Sequence, residues 1–274
     1  MSSPGTPAAP SGPRGERLAW YTAAALSAVL VVTAAGWQVR GNVGARTATV
    51  TRDSGGRTVT ALEVAGGEAE VVITPRGDRT VGYRADLSWS FRKPDVEESW
   101  LGDTLKLTPH CPGEDLGMST GIACSVRLAV TVPAGMPVRV SGGSGRVTVS
   151  GLAGTVDADM GSGRLVLADL RGPLRARVGS GTLDATGLTG PQADVRAGAG
   201  HAKVAFAAPP DRVTAAVGSG RLEVTVPAAT RYRVTCRAGA GRCEADDALR
   251  DPAATRTLDL EADAGHATAG YGRP

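Results

Sequence analysis

The chain predicts an all-β fold: a parallel β-solenoid or β-roll over about residues 58–270, preceded by one transmembrane helix. Three observations carry this reading. A glycine triplet recurs at a nearly constant interval, strand-like alternation flanks each copy, and one long uncharged run lies near the N-terminus. The triplet stands at Gly143-Ser144-Gly145, Gly161-Ser162-Gly163, Gly179-Ser180-Gly181, Gly198-Ala199-Gly200, Gly218-Ser219-Gly220 and Gly239-Ala240-Gly241. A weaker copy is Asp263-Ala264-Gly265. Successive spacings of 18, 18, 19, 20, 21 and 24 residues mark stacked supersecondary units.

Taken in chain order, residues 1–17 are rich in Pro, Gly, Ser and Ala and cannot bury a core. They read as a short cytoplasmic tail. Leu18 to Val39 holds 22 residues without a charge, long enough for a hydrocarbon core of about 30 Å. Trp20, Tyr21 and Trp37 sit near its ends, where aromatic rings favour the membrane interfaces. The segment reads as an uncleaved signal anchor, with a cleaved signal peptide as the alternative. Either way the rest of the chain lies outside the cytoplasm, and the anchored reading gives a single-pass cell-membrane protein with an extracellular C-terminal domain. Residues 40–57 read as a linker. From there to about 140 the pattern is β with less regular coils. Gly66-Gly67 is an early corner, and Trp89-Ser90-Phe91 and Trp100-Leu101 form one amphipathic insertion.

Each triplet is followed by a strand of period two, such as Arg146-Val147-Thr148-Val149 or Arg221-Leu222-Glu223-Val224. A second strand closes each coil, as in Val156 to Met160 and Leu174 to Val178. The inward set is Val147, Val149, Leu165, Leu167, Leu183, Leu222 and Val224 from the first strand. Val156, Ala158, Met160, Leu174, Ala176 and Val178 supply the second. Mixing Ala with Leu and Val implies a thin interior. The glycines are expected to allow positive φ and close backbone stacking.

Stacking in chain order has a consequence for charge. Asp157 should lie beside Arg175, Asp159 beside Arg177, Arg175 beside Asp194, and Lys203 between Asp184 and Glu223, each such pair worth roughly 0.2–1 kcal/mol. Arg177 should meet Arg196, an imperfection in the pattern. By the same register Cys236 takes the slot of Ala158, and Cys243 that of Leu165, on opposite walls beside one corner. Cys111 and Cys124 lie close in sequence in a loop-like stretch with Pro112 and Gly113, so disulfides Cys111–Cys124 and Cys236–Cys243 are the expected pairing; free thiols, or a metal site at His110 and Cys111 without paired CxxC spacing, are the alternatives.

Composition bounds the rest. The net charge of +3 is too small to argue for nucleic acid. Only Lys93, Lys106 and Lys203 among the 30 basic residues are lysine, an Arg bias that points to a GC-rich genome. Three segments then follow in order: Gly102-Asp103-Thr104-Leu105-Lys106-Leu107, Val126 to Pro133, and Val138 into Gly143-Ser144-Gly145-Arg146-Val147. This succession resembles the bacterial putative-adhesin domain family, in which the same strand order leads into Gly-Ser-Gly rungs. The resemblance covers roughly residues 58–270. It implies a membrane-anchored envelope protein of Gram-positive, actinobacterial type, with no catalytic residue and no cofactor.

Asp157 and Asp159 sit at i and i+2 on one strand face and could be spaced as in an inverting glycosidase. Neighbouring arginines would hold both ionised, whereas a general acid needs a raised pKa. They read as structural charges. Gly143-Ser144-Gly145 lacks the Lys-Ser/Thr and following helix of a phosphate loop. His110, His201 and His266 pair with no nucleophile. One surface feature remains: the residue after each triplet is Arg146, Arg164, Thr182, His201, Arg221, Arg242 and His266. Stacked, these form a column, and Arg146, Arg164, His201, Arg221 and Arg242 are the candidate contacts for an anionic envelope polymer or lipid headgroups. The alternative is that they are simply solvated corner residues. The leading function is a non-catalytic, adhesin-like envelope module that contacts such a polymer or another surface protein. A signalling accessory protein and a secreted β-helix carbohydrate-active enzyme are the alternatives. The 17-residue tail carries no docking motif, and the rungs carry no aromatic sugar platform.

Overall fold

The computed structural model describes residues 46–90, 92–112 and 124–272, with Ser27 alone before them. The tail 1–17, the rest of the segment Leu18–Val39, and Phe91 lie outside the described residues. Among the described residues no helix is long and apolar enough to cross a membrane. The chain divides into two compact units, Met1–Arg46 and Thr47–Pro274.

The second unit is built of β-strands. The N-terminal group is β1 (Arg46–Asp53), β2 (Ala61–Ala65), β3 (Glu70–Arg76), β4 (Gly82–Trp89), β5 (Asp95–Leu101), β6 (Thr104–His110) and β7 (Cys124–Pro133). The regular rungs are β8 (Val138–Gly142) with β9 (Arg146–Ser150), β10 (Val156–Met160) with β11 (Arg164–Ala168), and β12 (Leu174–Val178) with β13 (Thr182–Leu188). They continue through β14 (Gln192–Ala197) with β15 (His201–Phe206) and β16 (Arg212–Val217) with β17 (Arg221–Val226). Last come β18 (Arg233–Ala238), β19 (Arg242–Ala245), a short 3₁₀ turn Asp247–Leu249, β20 (Thr257–Ala262) and β21 (His266–Tyr271). Residues 46–53, read from sequence as linker, thus form a strand.

Two sheets result. The first runs β1-β4-β7-β3-β9-β11-β13-β15-β17-β21-β19, the second β18-β20-β16-β14-β12-β10-β8-β2-β6-β5. The repeated strands pair in parallel, while β4 on β7 and β5 on β6 are antiparallel. Every inward residue expected from the period is buried, from Val147 and Leu165 to Met160 and Val178. The corners stack directly. The Ser162 N–H donates to the Gly143 carbonyl at 2.7 Å, and Ser180 N–H to Gly161 at 2.8 Å. No triplet glycine has a positive φ; the glycines in that region are elsewhere, at Gly67, Gly102, Gly151 and Gly187 among others. Close approach is the reason for glycine here. A Cβ on Gly220 would run into the carbonyl oxygen of Gly200.

Chain order fails at both ends of the stack. β20 lies between β16 and β18, and β21 between β17 and β19. The last rung in sequence is therefore the penultimate rung in space. At the other end β2 lies between β6 and β8, and β3 between β7 and β9. Burial explains the C-terminal exchange. β20 and β21 turn Leu258, Leu260, Ala262, Ala267 and Ala269 inward, all buried. β18 and β19 offer Val234, Cys236, Cys243 and Ala245, which stay only partly buried. The more apolar rung gains more from two covered faces.

Both expected disulfides form, Cys236–Cys243 from the register and Cys111–Cys124 from closeness in sequence. They occupy equivalent places. Cys111 follows β6 and Cys124 opens β7; Cys236 lies in β18 and Cys243 in β19. Each joins the two strands of the outermost parallel rung at its end of the stack.

Candidate functional site

The outer faces of the two sheets carry charge in different ways. On the second sheet the register aligns Lys106, Glu63, Arg139, Asp157, Arg175 and Asp194 in one column. Signs alternate at every step. Ion pairs close at Lys106–Glu63 (2.9 Å), Arg139–Asp157 (3.2 Å) and Arg175–Asp194 (3.7 Å). Lys106 and Glu63 are missed by counting from triplets, because the coils before residue 143 have irregular lengths; Arg139 stands 18 residues before Asp157, at the triplet interval, and the same count finds it. The expected neighbours Asp157 and Arg175 are in register, but Asp157 turns to Arg139 instead. Asp159 and Arg177 are likewise in register without closing an ion pair. Lys203 lies between Asp184 and Glu223, also without a closed pair.

The first sheet differs. Its corner-adjacent column runs Arg127, Glu70, Arg146, Arg164, Thr182, His201, Arg221, His266, Arg242. Arg127 and Glu70 neutralise each other at 2.8 Å. From Arg146 onward no acid stands in the column. Arg146, Arg164, His201, Arg221 and Arg242 are all exposed, and none has an ion-pair or hydrogen-bonding side-chain partner among the described residues. Exchange of the last rungs puts His266 between Arg221 and Arg242, where chain order predicts the two arginines side by side. His266 itself lies 3.9 Å from Glu244. Arg146 and Arg164 remain direct neighbours, a like-charge contact that costs stability.

Asp157, paired with Arg139, is half-buried and is no candidate acid. Asp159 lines an open groove of about 520 Å³ on the second sheet's side of the corner, together with Arg177, Arg196, Ala216, Glu261 and Asp263. Both signs of charge are present there. Among the described residues of the aromatic insertion, both tryptophans are covered at least in part. Trp89 is buried, and the Arg57 guanidinium covers Trp100 at 4.1 Å. Tyr83 donates its hydroxyl to Glu98 at 2.5 Å; burial and that carboxylate push its pKa up. Among the described residues no group of three or more His, Cys, Asp or Glu is placed to hold a metal ion.

No family model and no curated relative matches this chain by sequence. Solved structures similar to it do exist. One is described as a "putative cell adhesion protein" of Clostridium sporogenes, at 10% identity and TM-score 0.35, covering 83% of this chain and 100% of that one. A "putative adhesin" of Bacteroides fragilis has 13% identity and TM-score 0.41, with 81% and 97% covered. A "putative lipid binding protein" of Parabacteroides distasonis has 13% identity and TM-score 0.35, with 81% and 96% covered.

Proposed function

We propose that this protein is a non-catalytic component of the cell envelope. It presents a parallel β-solenoid outside the membrane, anchored by Leu18–Val39, and makes an adhesin-like contact with an anionic envelope partner. One observation carries the reading: the first sheet's corner column holds no acid from Arg146 onward, while one column of the second sheet, Lys106 through Asp194, alternates in sign; its neighbour column sets Arg177 beside Arg196. A stack that aligns Lys106 through Asp194 so regularly leaves Arg146, Arg164, Arg221 and Arg242 exposed and outside any closed ion pair among the described residues. Guanidinium groups at rung spacing suit a repeating anion. The two disulfides support an oxidising compartment.

Two measurements test this. Trypsin on intact cells should remove the β unit and leave a membrane-bound stub; a unit protected until lysis, with alkylatable thiols, overturns the placement. Changing Arg146, Arg164, Arg221 and Arg242 to Gln should abolish retention on the isolated envelope fraction without lowering the melting temperature. Arg175→Gln, which removes a ladder pair, should leave retention intact. Equal retention of the four-Gln variant and the parent at low salt sinks the contact.

A further inference from the structure

The first glycine of each corner shapes a trench on the second sheet's side. Gly179, Gly198 and Gly218 stack in one line, each set against the carbonyl of the one before. They put no side chain into the groove of about 520 Å³ that they help to line. The wall beside them is an outward column that reads Asp159, Arg177, Arg196, Ala216, Glu261, Arg237 in register. Signs do not alternate here. Two arginines are neighbours, a contact that costs stability, then an alanine interrupts the charges and an acid follows. Arg196 reaches Asp194 at 3.4 Å; Arg177 closes no ion pair among the described residues.

The exchanged rungs set the far end. In chain order Ala216 would be followed by Arg237, and Gly218 by Gly239. Insertion of β20 puts Glu261 and Asp263 in those places. The Asp263 N–H donates to the Val217 carbonyl at 3.0 Å, so Asp263 stands in line with the glycines and carries a side chain where they have none. The weak last triplet, Asp263-Ala264-Gly265, thus closes the trench with a second carboxylate. Glu261 and Asp263 are exposed and close no ion pair among the described residues. Arg237 lies one rung beyond them.

These charges select the occupant. A polyanion meets Glu261 and Asp263, and a polyamine meets Arg177 and Arg196. The occupant therefore carries one charge of each sign, set apart. Arg196 to Glu261 is two rung steps, about 9.6 Å at about 4.8 Å per step. A single amino acid is too short for that span. An extended peptide covers about 3.3–3.6 Å per residue, so about three residues suffice. Asp159, past Arg177 in the same column, confines a carboxylate to the two arginines. Ala216, Gly198 and Gly218 leave the middle uncharged and low.

We infer that the trench binds a short peptide with free ends, its carboxylate on Arg177 and Arg196 and its ammonium on Glu261 and Asp263. This site goes beyond the proposed envelope contact and does not depend on it.

The test titrates the full chain by calorimetry with tri-alanine, N-acetyl-tri-alanine, tri-alanine amide, alanine and phosphocholine. Tri-alanine should bind, and each blocked form should bind about fivefold more weakly, the scale of one exposed ion pair. Arg177→Gln should reduce the preference for a free carboxyl end. Glu261→Gln combined with Asp263→Gly should erase the preference for a free amino end. Ala216→Arg fills the middle of the trench and should abolish binding at an unaltered melting temperature. Equal binding of tri-alanine and its blocked forms overturns the two-charge assignment. Alanine or phosphocholine binding as tightly as tri-alanine overturns the span. Binding that survives Ala216→Arg overturns the trench as the site, and a chain that does not bind tri-alanine overturns the proposal outright.

Discussion

At the scale of single residues, the glycine that closes each corner triplet is a packing requirement. Gly163, Gly181, Gly200 and Gly220 each place the missing Cβ against the carbonyl oxygen of the rung before, at Gly145, Gly163, Gly181 and Gly200. Gly220→Ala must push two stacked backbones apart, and should cost roughly 1–3 kcal/mol of stability in denaturant melts. At Gly77 a Cβ would meet nothing within 4 Å, so Gly77→Ala should stay within about 0.5 kcal/mol. Equal effects at the two sites would mean the corners relax freely. Tyr232 makes a different case. It is fully buried, and its hydroxyl has no hydrogen-bond partner among the described residues. Burial, opposed by Arg256, pushes its pKa up to about 12. The folded state therefore keeps a proton that the unfolded chain loses above about pH 10, and stability should fall from about pH 10 as pH rises towards 12. Tyr232→Phe removes an unsatisfied polar atom, so stability at neutral pH should be equal or slightly higher. The alkaline loss should shrink without vanishing, because Tyr83 shares the direction. Thermal melts from pH 7 to 11 decide it; a clear loss at pH 7 would show that the hydroxyl is bonded in solution.

At the scale of elements, the end rungs differ from the inner ones. β18 pairs only with β20, and β19 only with β21, so this rung is covered on one face. Neither strand has a fully buried residue. The Cys236–Cys243 bridge restores what the missing neighbour would supply. It closes a loop with a sequence separation of 7, for which chain entropy gives roughly 2–3 kcal/mol. Changing both cysteines to Ser should lower stability by about that amount. It should also raise amide exchange first in residues 233–245, with little change at β12 or β14. Uniform loss of protection would place the bridge in the cooperative core. The charge ladder is a weaker device. Arg139 and Arg175 are exposed, and exposed pairs are worth about 0–1 kcal/mol each. Their value is in register: a one-residue slip would set Arg175 beside Val156 or Ala158 in place of Asp157 and turn the strand's apolar set outward.

At the scale of the β unit, the exchanged rungs make the C-terminus a structural keystone. β20 and β21 are the sole sheet neighbours of β18 and β19, and they also cover β16 and β17. A chain ending at residue 250 should therefore lose two rungs, because β18 and β19 are left without partners. Limited proteolysis of the truncated protein should cut within residues 228–250, and its melting temperature should drop well beyond the effect of one end rung. If β18 and β19 stay protected, they have re-stacked on β16 and β17 in the order the repeat spacing suggests. That outcome would show that the two arrangements lie close in energy.

What the sequence determined by itself is local and periodic. Strand alternation named the buried residues, from Val147 to Val224, because a pleated strand has only two faces. The triplet interval aligned Asp157 with Arg175 and set Cys236 and Cys243 beside one corner, because a rung repeats its register wherever coil length is regular. Tertiary structure alone decided which rungs are neighbours at the ends, and how the side chains there pair. Glu63 and Lys106 are far apart in the chain, yet adjacent in space, and no interval in the sequence announces it. Nor does any interval place Leu260 between Ala215 and Cys236. Parallel strands of similar pattern can stack in more than one order, and the choice goes to the order that buries the most apolar surface. That sum runs over the whole stack, so no single segment of the chain contains it.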